Sequence, residues 1–144
     1  MKKITMIFIA MSAVVFAMVS CTNSKAIATK GNLQREWMLK TLPGVSYEAL
    51  VAAKAAINLS NPEANGAYGG CNRIFFTTKT DRKNTIRFTN MGSTKMYCEQ
   101  TMHIEDALTK ALSEVARYEL KGHEISFKNS KGEVLMTAVA SDWD

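Results

Sequence analysis

The first 21 residues constrain this chain most, because they determine the compartment in which the rest of it folds. Lys2 and Lys3 precede a short apolar run that ends at Ser20 and Cys21. A positive start, a brief apolar segment and a small residue before the cut are typical of a secretory signal. The run is shorter than the roughly 20 residues that a membrane-spanning helix needs, although a retained anchor helix is the alternative. The sequence therefore predicts export and removal of residues 1–20.

The residues around the expected cut indicate a lipoprotein signal. Ser20 is the small residue before the cut, Val19 and Met18 are apolar, and Cys21 would carry the lipid. We therefore expect the membrane to be a partner through a lipid on Cys21. Thr22, rather than an aspartate, follows the cysteine, which favours sorting to the outer membrane of a bacterial cell envelope.

The chain behind this signal has the length of one domain. Of 144 residues and a formal net charge of +5, removal of residues 1–20 leaves 124 residues and a charge of +3. Residues 21–32 are small and polar, which predicts a flexible tether, and residues 33–144 are expected to form the domain. The basic residues are dispersed without interleaved aromatics, so the sequence gives no indication of nucleic-acid binding. We expect a monomer with a solvated surface.

Cysteine usage follows from the compartment. If Cys21 is acylated, Cys71 and Cys98 remain as an even pair where disulfides persist. A bond between them would close a loop worth roughly 3–4 kcal/mol in the chain-entropy model. The alternative is two reduced, buried cysteines that act as small apolar residues.

The polar and apolar pattern predicts several strands. A first strand is expected within residues 33–42, before the turn at Pro43–Gly44, and residues 46–60 read as helix at the alanines and as strand at their end. Strand patterns flank the glycine pair Gly69–Gly70, where a bulge or a close backbone approach is expected. Four further strands are expected, at residues 85–91, 116–120, 124–129 and 133–140.

One substantial helix is predicted between Glu99 and Tyr118. Its apolar face has a spacing of three and four residues, formed by Ile104, Ala107, Leu108, Ala111, Leu112 and Val115. Strands on both sides of one main helix indicate an α+β fold with an antiparallel sheet.

These features occur in an order that resembles the META domain, the HslJ-like family of bacterial envelope lipoproteins. The resemblance covers Leu33 to Ala140, and its most specific parts are Cys71-Asn72-Arg73 after Gly70, and the spacing of Thr94, Met96 and Cys98. It implies a curved antiparallel sheet, conical and partly closed like a barrel, with one main helix packed against it.

The residues of this structural motif are expected to serve the fold. Gly70 permits a bend, and Asn72 tolerates unusual backbone angles and bonds neighbouring main chain. Thr94 is expected in a turn or a cap, and Met96 in the core beneath the helix. A Cys71–Cys98 bond would fasten the start of the helix to the sheet.

The sequence offers no catalytic or metal-binding set and implies no cofactor. A cysteine nucleophile would need a base, but His103 and His123 both look like surface residues. Zinc would need a close ligand pair, and none is present. Phosphate-binding glycine loops are also absent. The carboxylates of Glu105 and Asp106 are interpreted as a solvated helix face.

Two functions remain open from the sequence. The first, favoured by the family resemblance, is a non-enzymatic envelope protein that binds another envelope protein or supports envelope integrity under stress. The alternative is a carrier of a small apolar ligand, with a cavity lined by residues such as Trp37, Phe75, Phe88 and Leu135.

Overall fold

The fold is described from a computed structural model. It describes residues 32–62 and 64–143. The predicted signal peptide, the lipidation site Cys21 and nearly all of the predicted tether lie outside these residues.

The described residues contain eight strands and two helices. The first half contains β1 (Glu36–Thr41), α1 (Tyr47–Ala52), β2 (Ala56–Asn58), β3 (Asn65–Tyr68), β4 (Arg73–Thr80) and β5 (Ile86–Ser93). The second half contains α2 (Met102–Glu114), β6 (Arg117–Lys121), β7 (Glu124–Lys128) and β8 (Val134–Ala140). The α+β class is confirmed, and so is the mixed helix and strand character expected of residues 46–60.

The strands form one antiparallel sheet that curls into a half-barrel. Their order is β5-β4-β3-β2-β1-β8-β7-β6, and β1 lies at the centre beside β8. Each pair of neighbouring strands is antiparallel. The two outer strands meet at one point, where Thr85 bridges Arg117. The amide of Ile86 donates to Ala116 O at 3.1 Å there. The curved, partly closed sheet expected from the sequence is therefore confirmed.

Alternation along the strands fills the inside of the half-barrel with apolar side chains. In β4, Ile74 and Phe76 are buried while Arg73 and Phe75 are exposed, as a two-residue period requires. The largest fully buried side chains come from both halves of the sheet and from both helices: Trp37, Leu50, Ile57, Ile86, Ile104, Leu108, Leu112, Ile125, Phe127 and Met136.

Helix α2 packs its apolar face on this core. Ile104, Leu108 and Leu112 are fully buried, as their spacing predicts. The helix is shorter than the predicted range 99–118. It stops before Val115, whose extended backbone leads into β6.

Strand direction places the connections at two opposite ends of the sheet. Because neighbours are antiparallel, the start of β1, the β4–β5 turn, the β6–β7 turn and the end of β8 share one end, which we call the tether end. The β3–β4 turn and the connection from β5 to α2 lie at the other, which we call the helix end.

Candidate functional site

The candidate site lies at the helix end, where the β3–β4 turn meets the segment Thr94–Cys98, which we call the clamped loop. The turn begins with Gly69 and Gly70, between two strands rather than inside one. A side chain on Gly69 would collide with Glu105 of α2, and Gly70 has a φ of +111°. The close approach expected at the glycine pair is therefore present, and it brings the turn against the helix.

A disulfide between Cys71 and Cys98 joins the turn to the loop. The two Cα atoms are 6.0 Å apart, within the range that a disulfide spans, and the cysteines are 27 positions apart in the sequence. The pairing predicted from the cysteine arithmetic is thus present. In the chain-entropy model a loop of this size contributes about 3.5 kcal/mol to stability.

Asn72, the next residue, fixes the backbone of the clamped loop with its side-chain amide. Its Oδ1 accepts hydrogen bonds from Met96 N at 2.7 Å and from Thr94 Oγ1 at 2.9 Å. Its Nδ2 donates to Met96 O at 2.9 Å. The side chain is almost fully buried, so these bonds are shielded from water.

Glu105 of α2 connects Asn72 to the helix. Its Oε2 accepts from Asn72 Nδ2 at 2.8 Å, and its Oε1 accepts from the Asn72 backbone amide. The side chain is only 5 % exposed, so the expectation that Glu105 lies on a solvated face is wrong, whereas its neighbour Asp106 is exposed as expected. The carboxylate is held inside because the turn offers it two N–H groups.

The sequence contains a signal for this burial that the interpretation missed. Glu105 precedes Leu108 by three residues and Leu112 by seven, which places it on the same helical face as these two buried leucines. A carboxylate in that position needs hydrogen-bond donors, and the backbone and side-chain amides of Asn72 supply them.

Thr94 and Arg73 complete the clamp through the backbone. Arg73 N donates to Thr94 Oγ1 at 3.1 Å, and Thr94 N donates to Arg73 O at the same distance. The structure therefore brings together all the motif residues named from the sequence: Gly70, Cys71, Asn72, Arg73, Thr94, Met96 and Cys98.

The side chain of Met96 does not lie in the core, contrary to the expectation. It is 57 % exposed, because Asn72 holds both backbone polar groups of Met96 and thereby turns its side chain outward. Tyr97, the next residue, is 81 % exposed. The loop therefore presents two large side chains to solvent from a fixed backbone.

A groove of about 650 Å³ runs beside the clamped loop. Its floor and walls come from the loop, the ends of β4 and β5 and one side of α2: Asn72, Ile74, Ser93, Thr94, Lys95, Met96, Tyr97, Met102, Glu105, Asp106, Thr109, Lys110 and Ser113. We call it the helix groove. Its lining mixes apolar side chains with hydroxyls and charges of both signs, which suits a peptide segment better than a wholly apolar molecule.

The four residues expected to line a carrier cavity do not come together. Trp37 is fully buried, and Phe88 packs edge-on against Phe76 with ring centroids 4.7 Å apart. Phe75 lies outside the half-barrel, over Gly92, and Leu135 is partly buried.

Other chemistry-bearing residues are dispersed. His103 is exposed on α2, as expected, while His123 is partly covered by the Trp143 ring, which stacks on it at 3.5 Å. Across residues 32–62 and 64–143, no group of three or more His, Cys, Asp or Glu side chains could hold a metal ion. The described helices include none long and apolar enough to cross a membrane.

The order of these features along one sheet agrees with a family model of the META domain, which matches residues 31–142. The chain belongs to the META domain family. The family resemblance stated from Cys71-Asn72-Arg73 and the Thr94, Met96, Cys98 spacing is confirmed.

Two solved structures share the META domain fold of this chain. An NMR structure of a protein from Burkholderia xenovorans has a TM-score of 0.56 and 18 % identity, and covers 76 % of this chain and 83 % of its own. A second NMR structure has a TM-score of 0.58 and 15 % identity, with coverage of 76 % and 91 %. No curated protein matches the sequence.

Proposed function

We propose that this META domain protein is a non-enzymatic, lipid-anchored envelope protein that binds another envelope protein through the clamped loop and the helix groove. The observation that carries the proposal is the exposure of Met96 and Tyr97 on a backbone that a disulfide and Asn72 hold in place. The membrane anchor would be a lipid on Cys21, and the expected location is the outer membrane. The protein itself is expected to be a monomer.

The fixed backbone supports a binding role because it reduces the entropic cost of association. A loop that is already ordered does not have to be ordered by its partner. Tyrosine and methionine are enriched in protein interfaces, where they fill pockets of the partner. A tyrosine left 81 % exposed gains most from such a contact.

The state of the cysteines supports a non-enzymatic role. Cys71 and Cys98 bond to each other, so neither offers a thiolate nucleophile in this form. His103 lies on the surface of α2 and His123 lies beside Trp143. Within the described part of the chain, neither is hydrogen-bonded to a nucleophilic side chain. The carrier alternative has less support, because its four expected residues divide between the packed core and the outer surface.

Site-specific photo-crosslinking in living cells tests the proposal. A photoreactive phenylalanine at Tyr97 should give a discrete crosslinked product with an envelope protein. The matched control is Tyr47, a tyrosine on α1 that is 55 % exposed but lies outside the groove.

The companion variant is Met96→Ala, which removes an exposed side chain and should leave the fold intact. We expect it to reduce the product from position 97 by about tenfold, which corresponds to about 1.4 kcal/mol of binding. Absence of any product at position 97, or equal products at positions 97 and 47, would overturn the proposal.

A further inference from the structure

A second surface stands out at the tether end, around the β4–β5 turn. Five cationic side chains surround this turn: Lys79, Arg82, Lys83, Arg87 and Arg117. All five are exposed. We call them the basic cluster.

Strand register concentrates this charge on the outer face of the sheet. Lys79 of β4 and Arg87 of β5 are direct cross-strand partners, and their side chains alternate with the buried Ile86 and Phe88. Like charges directly opposite each other are destabilising in a sheet. Arg117, at the start of β6, adds a third charge, because closure of the half-barrel brings it beside Thr85, two residues before Arg87. The repulsion between Lys79 and Arg87 destabilises the isolated domain, and a negative charge outside the domain would offset it.

The domain itself does not neutralise the cluster. The ion pairs of the described residues use other cations, namely Arg35, Lys40, Lys121 and Lys128. Asp81 is the acid within the turn, and its Oδ1 accepts the backbone amides of Lys83 at 2.8 Å and Thr85 at 3.3 Å. Its charge is thus directed to the turn backbone.

The cluster also lies where a lipid-anchored chain would meet the membrane. The start of β1 and the β4–β5 turn share the tether end of the sheet. Residues 22–32 can span at most about 40 Å when fully extended. A lipid on Cys21 would therefore keep the domain within reach of the headgroups, and the chain enters the sheet at the tether end, through the start of β1.

We propose that the basic cluster docks the domain onto an anionic lipid surface, with the tether end against the headgroups and the clamped loop facing away from them. The geometry rests on the lipid anchorage contained in the proposed function. Cationic side chains are attracted to anionic headgroups within about a Debye length, which is about 10 Å at 0.1 M salt.

Amine footprinting of the full chain tests this orientation. The protein, purified from membranes, is reconstituted into vesicles of phosphatidylcholine alone or with about 30 % phosphatidylglycerol. A water-soluble acetylating reagent is added, and mass spectrometry gives the modification rate of each lysine. We expect Lys79 and Lys83 to react about threefold more slowly in the anionic vesicles, and to recover at about 0.5 M sodium chloride.

Lysines at other places serve as internal controls. Lys54 follows Ala53, which lies against the β3–β4 turn at Gly70, and Lys110 lines the helix groove; both lysines are exposed and should react alike in the two vesicles. The variant K79Q with R87Q should abolish the protection of Lys83. The charge-matched variant K54Q with K110Q should leave that protection unchanged.

The outcomes separate this proposal from the anchorage on which it rests. Equal rates for Lys83 in both vesicles, or equal protection of Lys54, would overturn docking. Protection seen only in native envelopes and not in anionic vesicles would indicate an acidic macromolecule and also overturn it. If the chain fails to float with phosphatidylcholine vesicles, the anchorage is wrong; flotation with anionic vesicles alone would then still support the cluster.

Discussion

Asn72 joins three segments of the chain through one small side chain. It bonds the clamped loop at Thr94 and Met96, and it bonds α2 at Glu105. An asparagine suits this position because its amide carries an acceptor and a donor group at one end, so one side chain satisfies both polar groups of a neighbouring residue. An aspartate of the same shape would instead face the carboxylate of Glu105 with a second negative charge.

We expect Asn72→Ala to lower the free energy of unfolding by about 3 kcal/mol. The substitution leaves the amide and carbonyl of Met96 and one oxygen of Glu105 without their partner, and each unsatisfied buried group costs about 1–3 kcal/mol. Urea denaturation followed by circular dichroism measures the change. The control is Asp106→Asn, an exposed neighbour of Glu105 whose replacement should change stability by less than about 0.5 kcal/mol. A variant Asn72→Ala as stable as this control would contradict the assigned role.

The roles of Asn72, Met96 and Glu105 differ in how far they could be predicted from the sequence. A structural role for Asn72 could be predicted, because asparagine tolerates unusual backbone angles and commonly bonds neighbouring main chain. The exposure of Met96 could not, since its direction depends on Asn72, which lies 24 positions earlier in the sequence. The burial of Glu105 was missed because charged residues on a helix are usually solvated, although its spacing to Leu108 and Leu112 indicates the buried face.

At the scale of elements, the strands and α2 were predictable because each carries its own period. The alternation in β4 and β5 and the three-and-four spacing in α2 are local patterns, and the apolar residues of these patterns are buried in the core. The end of α2 was set too late, because Val115 fits the helical spacing yet takes an extended backbone that starts the path into β6. Tertiary contacts decide such boundaries.

The hairpin of β6 and β7 carries an ion-pair network with a consequence for pH. Hydrogen bonds from Lys128 and then Lys121 hold the pKa of Glu119 below its ordinary value of 4.5. The folded state therefore binds this proton less readily than the unfolded chain does, so the contribution to stability is present above pH 4.5 and is lost as the pH falls through the folded pKa.

We accordingly expect Glu119→Gln to make stability less dependent on pH below about 4.5. The variant cannot titrate at this position, so its loss of stability on acidification should be shallower than that of the native protein. Urea denaturation over a series of pH values between neutrality and about 3 measures both slopes. The control is Glu114→Gln, an exposed glutamate at the end of α2, which should keep the native slope. Parallel curves for Glu119→Gln and the native protein would refute the network's role.

For the whole molecule, the sheet order places two surfaces at opposite ends. The clamped loop and helix groove lie at the helix end, and the basic cluster lies at the tether end. The separation follows from the antiparallel pairing of β4 and β5, since the turn and the clamped loop lie at opposite ends of β5. The presence of Arg117 in the basic cluster could not be assigned from the sequence, because closure of Thr85 onto Arg117 depends on the stagger of all eight strands.

Lipid attachment at Cys21 can be tested on the whole chain. We expect the native protein to incorporate a radiolabelled fatty acid in bacterial cells, and Cys21→Ser to incorporate none. Because Cys71 and Cys98 are bonded to each other, neither should substitute as the acceptor. Cys71→Ser combined with Cys98→Ser, which retains Cys21, is the control and should keep the label. Label that persists in Cys21→Ser would show that the lipid is attached elsewhere.

The pairing of β1 with β8 has a practical consequence for any reporter attached to this protein. Trp37 and Ala140 are cross-strand partners, so the chain leaves the sheet beside the point where it enters. A fluorescent protein fused after Asp144 would therefore crowd the bilayer side and compete with headgroup contact. The β7–β8 turn at Lys131–Gly132 offers no better position, because it follows Lys128, the cross-strand partner of Arg117, so an epitope inserted there would also disturb the basic cluster.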